Sequence, residues 1–209
     1  KALEAGREFP LEIEMHFTSW VFPKGHRIRF AVNNAQWPML WPTPYPLTTT
    51  LRLGPGTLLR LPVVPHEDRP KPNFRPPDPD DPVLPGYGTL QEETTSGYGE
   101  ISRIERDVAK RSTRVIATNG GGRRYPWGES RLEEKITHET RDDQPDATSM
   151  RGEYRNTITL PGRVLVFEYQ AVFRSDRETF FYTGTKRLRE NGALIREKTW
   201  NDAIPRDFQ

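Results

Sequence analysis

The stretch "TFFYTGTKRLRENGALIREKTW", residues 179–200, contains the turn that decides the fold. At its centre, Glu190-Asn191-Gly192-Ala193 places Asn-Gly between two runs of strand-forming residues. Asn-Gly is the strongest short-range signal of a two-residue hairpin, because a type I′ turn needs positive φ at both central residues. The stretch therefore predicts two antiparallel strands, at residues 179–190 and 193–200.

More strands are predicted upstream of this hairpin. Leu160-Pro161-Gly162-Arg163 is a second tight turn, between "YRNTIT" and "VLVFEYQAVF". Further candidate strands cover residues 102–109, 114–119, 131–141, 149–159 and 163–173. Because no helical period of ten residues and no internal repeat interrupts them, they predict a meander of long antiparallel strands, rich in Arg and Glu on one face.

The region before the meander is rich in proline. Nine prolines fall between Pro62 and Gly86, several of them in "RPPDPDDPVLPG". This density excludes a helix or a central strand, because proline lacks the backbone N–H and fixes φ. We interpret residues 66–94 as an ordered connector in a polyproline-like conformation, laid against a surface.

The N-terminal region has short strand patterns of its own. Leu11, Ile13, Met15 and Phe17 alternate with polar residues, the period of a strand with one buried face. Phe22-Pro23-Lys24-Gly25 has the residues typical of a tight turn, and residues 27–32 after it alternate between polar and apolar as in a strand. We expect a hairpin there and short strands at residues 49–53 and 58–64.

Composition narrows the classes of partner. The 31 basic and 29 acidic residues give a net charge of +2 and are interspersed, so no nucleic-acid partner is indicated. No apolar run approaches the roughly 18 residues of a membrane span, so no membrane partner is expected. The absence of cysteine excludes disulfides and thiol catalysis. It leaves the compartment open, with the cytoplasm slightly favoured.

No catalytic centre is indicated in this chain. None of the seven serines lies in the G-x-S-x-G frame of a nucleophile elbow. Ser96 in "TTSGYGE" comes nearest, and its flanks are those of a loop. We expect no catalytic residue in the chain and no bound cofactor.

Metal and phosphate motifs are equally weak. The histidines at 16, 26, 66 and 138 lack metal-ligand spacing. His66-Glu67-Asp68 is interpreted as solvated, and the carboxylates in "RDDQPD", residues 141–146, as a polar turn. The glycine-rich "NGGGRR", residues 119–124, precedes a strand rather than a helix and is interpreted as a hairpin loop.

An aromatic cluster is the most distinctive local feature. Trp37, Trp41 and Tyr45 are separated by prolines at 38, 42, 44 and 46. Such rigid rings either pack on apolar surface, within the domain or against a docked neighbour, or stack on sugars. Packing is the favoured interpretation.

These residues belong to a stretch that resembles a known family. "FTSWVFPKGHRIRFAVNNAQWPMLWPTP", followed by "TLRLGPGTLLRLPVVP", resembles the C-terminal domain of the CocE/NonD hydrolases. This group includes cocaine esterase, X-Pro dipeptidyl-peptidases and α-amino ester hydrolases. The resemblance covers about residues 9–65. Residues 95–209 are less clearly similar, although the ending "IPRDFQ" looks like that of a bacterial subset.

The resemblance implies a fold and a role. Family members carry the serine, aspartate and histidine of catalysis on an α/β-hydrolase domain, which is followed by a jelly roll resembling galactose-binding domains. Residues 1–65 would then be a jelly-roll portion, 66–94 the connector, and 95–209 a meander that completes the sandwich or forms a second sheet. The chain would be the non-catalytic part of a bacterial-type serine hydrolase, docked on the α/β-hydrolase domain of the same polypeptide and shaping substrate access.

Two further expectations accompany this interpretation. The first residue, Lys1 rather than Met, suggests a piece cut from a longer protein. An apolar face left bare by the cut would favour pairing with a second copy, with Trp37 and Trp41 as the candidate contact residues.

The histidine motif is expected to be structural. Gly25, His26, Arg27 and Arg29 follow the tight turn, where the imidazole would cap the edge of a core. Arg27 and Arg29 would form cross-strand ion pairs with the glutamates at 12 and 14.

Two alternatives stay open at the level of sequence. One is a carbohydrate-binding module that uses the aromatic cluster. The other is a small enzyme that uses paired Asp or Glu side chains on the meander.

Overall fold

The computed structural model describes residues 4–33, 35–45, 47–64, 72–76, 85–91 and 103–207. These residues are all-β, with eight strands in one antiparallel sheet. None of them forms a helix, and so none of the described segments is a helix able to span a membrane. The predicted all-β antiparallel class is confirmed, while the jelly-roll arrangement of residues 1–65 stays a prediction.

The strands of the meander are long. The eight strands are β1 (Gly88–Gln91), β2 (Arg103–Asp107), β3 (Ser112–Tyr125), β4 (Gly128–Arg141), β5 (Gln144–Leu160), β6 (Arg163–Ser175), β7 (Thr179–Glu190) and β8 (Ala193–Pro205). From β3 to β8 each strand pairs with its neighbour in sequence. β1 and β2 both pair with β3, at opposite ends of that strand.

The two predicted turns are present. Asn191 and Gly192 have φ values of 49° and 86°, the positive values that an Asn-Gly hairpin requires. The N–H of Asn191 donates to the carbonyl of Val164, and the N–H of Val164 donates to Asn191 Oδ1, both at 2.8 Å. The second turn, at Pro161-Gly162, joins β5 to β6. The predicted meander is thereby confirmed.

The hairpin-loop interpretation of residues 119–124 is wrong. These residues lie inside β3 and pair with β4 from Asn119↔Glu134 to Arg124↔Glu129. The turn comes later, at Pro126-Trp127. A Cβ on Gly122 would lie 3.2 Å from the Cβ of Leu90. The glycine therefore allows β1 to approach β3 closely, which is a common reason for glycine inside a strand.

The connector interpretation also needs a correction. β1 lies within residues 66–94, where only coil was expected. The last proline of that region is Pro85, and the residues after it keep their backbone N–H groups and can pair. Of the rest of the connector, the structure describes residues 72–76 and 85–87.

The strand register separates the sheet into two unlike faces. One face, which we call the aromatic face, holds Tyr154, Phe167, Tyr169, Phe173, Tyr182 and Trp200. The opposite, charged face holds cross-strand ion pairs such as Arg155–Glu168 at 3.3 Å and Arg187–Glu197 at 2.5 Å. The expected concentration of Arg and Glu on one face is confirmed. Such a sheet is consistent with a β-sandwich, in which a second layer would cover the aromatic face.

The strands predicted in the N-terminal region are not formed. The described residues from 4 to 64 contain turns but no paired strand. The tight turn at Pro23-Lys24-Gly25 exists, with the N–H of His26 donating to the carbonyl of Pro23 at 3.1 Å. Its flanking limbs leave their apolar side chains exposed, with Phe17 at 100% and Trp20 at 71%. An alternating limb buries its apolar face only when paired strands and a facing layer cover it.

Candidate functional site

The aromatic face carries the candidate binding surface among the described residues. A groove of about 570 Å³ opens on it, and its lining includes Tyr154, Phe167, Tyr169, Tyr182, Lys186 and Trp200. A second depression, of about 330 Å³, lies beside the glycines of β3. Period-2 alternation in β5, β6, β7 and β8 places these rings on one side of the sheet. The face offers apolar contact area with a few hydroxyl and ammonium groups.

Two tyrosines meet at the centre of this face. Tyr169 lies on β6 and Tyr182 on β7, and their hydroxyls are hydrogen-bonded to each other. They meet above Gly184, where a Cβ would lie 2.6 Å from the hydroxyl of Tyr182 and 2.8 Å from that of Tyr169. The hydrogen bond from Tyr182, together with burial, raises the pKa of Tyr169 to about 12. Glycine at 184 therefore makes room for the two hydroxyls, and that of Tyr169 stays protonated at neutral pH.

Trp41 attaches the N-terminal region to one end of the aromatic face. Its ring packs edge-on against Phe173 and Phe180, with centroids 5.0 and 6.0 Å apart. Its indole N–H donates to Ser175 Oγ at 2.9 Å. The hydroxyl of Ser175 donates in turn to the carbonyl of Asp146 at 2.5 Å, so the contact reaches β5 as well.

Arg206 fixes the same segment from the end of β8. It is buried, and its guanidinium donates to the carbonyls of Pro42 at 2.7 Å and Asp176 at 2.8 Å. The guanidinium also lies 4.7 Å from the ring centroid of Phe180. Burial lowers the pKa of Arg206. Desolvating a guanidinium is costly, and the two carbonyl acceptors and the ring partly offset that cost.

Trp37 contacts the sheet at a second point. Its ring meets His138 of β4 edge-on, with centroids 6.1 Å apart. Burial lowers the pKa of His138, which favours a neutral imidazole at neutral pH. Tyr45 is exposed, with the guanidinium of Arg177 at 5.6 Å from its ring centroid. Both tryptophan rings thus pack within the chain, and their use in docking or sugar binding stays a prediction.

The histidine motif lies on the surface in the described structure. His26, Arg27 and Arg29 are all exposed, so the expected placement of His26 at the edge of a core is not found. No ion pair of the described residues joins either arginine to Glu12 or Glu14. Both expectations require the paired limbs that residues 4–64 do not form here.

The residues considered for catalysis or metal binding lie outside the described ranges, in ordinary turns and ion pairs, or inside a strand. Ser96 and His66-Glu67-Asp68 lie outside the described residues. Asp142 and Asp143 form the turn between β4 and β5, as expected, and pair with Arg106 and Arg141, whereas Asp146 lies inside β5 rather than in the turn. Within the described ranges no group of three or more His, Asp or Glu side chains could hold a metal ion.

Sequence reasoning overlooked the residues that build the aromatic face. Tyr169, Tyr182, Trp200, Ser175 and Arg206 were not singled out. The alternation within residues 163–173 and 179–200 already places the two tyrosines and Trp200 on one face. The contacts of Ser175 and Arg206 with residues 41 and 42 join positions more than 130 apart in the chain, and local patterns carry no such signal.

Comparison with known proteins gives one match. Residues 1–62 match the family described as the X-Pro dipeptidyl-peptidase C-terminal non-catalytic domain. This supports the resemblance of that region to the C-terminal domain of the CocE/NonD hydrolases. The match ends before β1, so it does not include the described sheet. No curated protein and no solved structure matches the chain.

Proposed function

We propose that the chain is the non-catalytic, β-structured C-terminal part of a serine α/β-hydrolase that acts on esters or amides. The observation that carries the proposal is the match of residues 1–62 to a non-catalytic C-terminal domain. A non-catalytic domain of this kind implies a catalytic domain in the same polypeptide. The nucleophile, base and acid would belong to that domain.

The exposed apolar residues of the N-terminal region support docking. Leu11, Ile13, Met15 and Phe17 alternate as in a strand with one buried face, yet all four are exposed. Soluble proteins seldom leave such contiguous apolar surface uncovered. We infer that this region is a jelly-roll portion whose apolar residues are covered when it packs on the catalytic domain.

The contacts of Trp41 and Arg206 support a role in shaping access to substrate. They hold residues 41 and 42 against the ends of β6 and β8, so the sheet is attached directly to the matched region. A catalytic domain docked next to residues 41 and 42 would therefore lie beside the aromatic face. The sheet would then form one wall of the approach to the catalytic domain.

The proposal is tested by labelling with a serine-directed fluorophosphonate. The isolated chain should take up no label and should hydrolyse p-nitrophenyl acetate no faster than buffer, since none of its serines lies in a nucleophile elbow. The full-length polypeptide encoded by the same gene should be labelled at one serine outside these residues. Stoichiometric labelling of a serine in the isolated chain, or no labelling of the full-length polypeptide, would contradict the proposal.

A further inference from the structure

The outer edge of β8 is an unused pairing surface. β8 is thirteen residues long and pairs with β7 on one side, and no described residue pairs with its other side. All of its side chains are exposed except that of Trp200, which is half-buried. Long unpaired edges are templates for another strand, and proteins usually protect them with short strands, bulges, prolines or charged side chains, which also restrict pairing to partners of complementary charge. β8 has a bulge near Leu194 and a proline at 205, which leaves the stretch between them open.

The charges of that open stretch are arranged symmetrically about Trp200. Lys198 precedes Trp200 by two residues and Asp202 follows it by two, so all three side chains lie on the aromatic face. Lys198 Nζ lies 4.9 Å from the ring centroid of Trp200. In the described part of the chain neither Lys198 nor Asp202 forms an ion pair, whereas Glu197 on the charged face is paired with Arg187.

We propose that two copies of this chain pair edge to edge through β8, antiparallel, about a two-fold axis at Trp200. Lys198 of each copy then lies opposite Asp202 of the partner subunit, and the two Trp200 rings lie side by side at the axis. A two-fold axis makes every contact occur twice, so one opposite-charge pair in the sequence becomes two in the dimer. The two aromatic faces join into one continuous surface.

Two-fold axes at other residues of β8 either bring like charges together or predict a different charge pair that the experiment can distinguish. An axis at Lys198 would place lysine opposite lysine, and an axis at Asp202 would place aspartate opposite aspartate, both of which are destabilising. An axis at Thr199 would place Asp202 opposite Arg196 instead of Lys198. Arg196 lies on the same strand and the same face as Lys198, so it provides a matched control.

The experiment uses charge reversal and sedimentation velocity over a hundredfold range of concentration. Wild-type chain should dimerise with rising concentration. Lys198→Asp and Asp202→Lys should each weaken dimerisation by about tenfold or more, because each places two like-charge pairs across the axis. An equimolar mixture of the two variants should form a heterodimer of wild-type affinity, since opposite charges again face each other. Arg196→Asp, which changes the net charge as Lys198→Asp does, should have little effect.

Three results would overturn the proposal. They are a monomer at every concentration, a mixture that associates no better than either variant alone, and an Arg196→Asp variant as impaired as Lys198→Asp. All the substituted side chains are exposed, and recovery in the mixture shows that both variants are folded. The inference is independent of attachment to a hydrolase domain, because fluorophosphonate labelling and self-association are separate measurements.

Discussion

Trp41 shows how a single residue joins two regions that are far apart in sequence. Its ring packs on Phe173 and Phe180, and its indole N–H donates to the buried Ser175. The prolines around it restrict the backbone, so the ring is held in place at little cost in conformational entropy. Arg206 completes the attachment through the carbonyl of Pro42.

The contribution of Trp41 to stability can be tested by a conservative substitution. Trp41→Phe keeps an aromatic ring but removes the indole N–H and part of the ring contact, so we expect a loss of at least about 0.5–1.5 kcal/mol in the free energy of unfolding. Urea denaturation measures the change. Trp20→Phe is the control, because Trp20 is exposed and should change stability by less than about 0.5 kcal/mol. Equal effects of the two substitutions would show that the Trp41–Ser175 contact does not stabilise the fold.

At the scale of elements, β6 and β7 are joined by a side-chain contact in addition to their backbone pairing. The hydroxyls of Tyr169 and Tyr182 meet above Gly184, and no larger residue at 184 would leave room for them. Networks of this kind help to define strand register, because a one-residue slip of either strand would send its tyrosine to the face opposite the other one. At the turn of the β7–β8 hairpin, Asn191 is hydrogen-bonded to Val164 of β6, which holds that end of the hairpin against β6.

The tyrosine pair predicts a dependence of stability on alkaline pH. The pKa of Tyr169 is raised to about 12 in the fold, above the value of about 10 for a free tyrosine. The folded state therefore holds its proton more tightly, and the stabilisation is complete below pH 10 and lost as pH rises towards 12. Tyr182→Phe should lower the pKa of Tyr169 towards 10. Titration of tyrosinate absorbance near 295 nm measures the change, and an unaltered titration curve in the variant would contradict the hydroxyl pair.

At the scale of the whole molecule, the described residues form a paired sheet and an N-terminal region without paired strands. The strands from β2 to β8 pair with their neighbours in the sheet, which buries Val115, Ile116, Val166 and Ala171. Residues 4–64 carry the alternation of strands without a paired neighbour. The second region therefore depends on contacts that the described residues do not provide.

Hydrogen exchange tests this difference across the whole chain. In the isolated chain, amides of residues 8–33 should exchange rapidly and those of β4 to β7 slowly, since protection follows strand pairing. In the full-length polypeptide, residues 8–33 should gain at least about tenfold protection if they dock as strands. Strong protection of residues 8–33 in the isolated chain would show that they form a sheet alone. Rapid exchange in both proteins would contradict docking.

Local patterns predicted the meander well. Asn191-Gly192 and Pro161-Gly162 located two turns, and the bounds of β7 agree with the predicted strand at 179–190. The glycines at residues 120–122 led to the wrong prediction of a loop. They lie inside β3, where Gly122 makes room for β1, and local sequence does not show that β1 packs there. The N-terminal strands were also predicted from alternation, which indicates a tendency to pair and says nothing about which strand is the partner.

The sequence alone determined the all-β class, the order of the long strands, the separation of charges to one face, and the resemblance of residues 9–65 to a hydrolase C-terminal domain. Each of these follows from a period of two, a turn dipeptide or an ordered motif, and such signals lie within a few residues of one another. Only the tertiary structure decided that β1 and β2 share β3, that Trp41 and Arg206 attach the N-terminal region to the sheet, and that no described residue pairs with the outer edge of β8. These features depend on which distant segments meet, and that is settled by the combined burial and hydrogen bonding of the whole chain rather than by any local pattern.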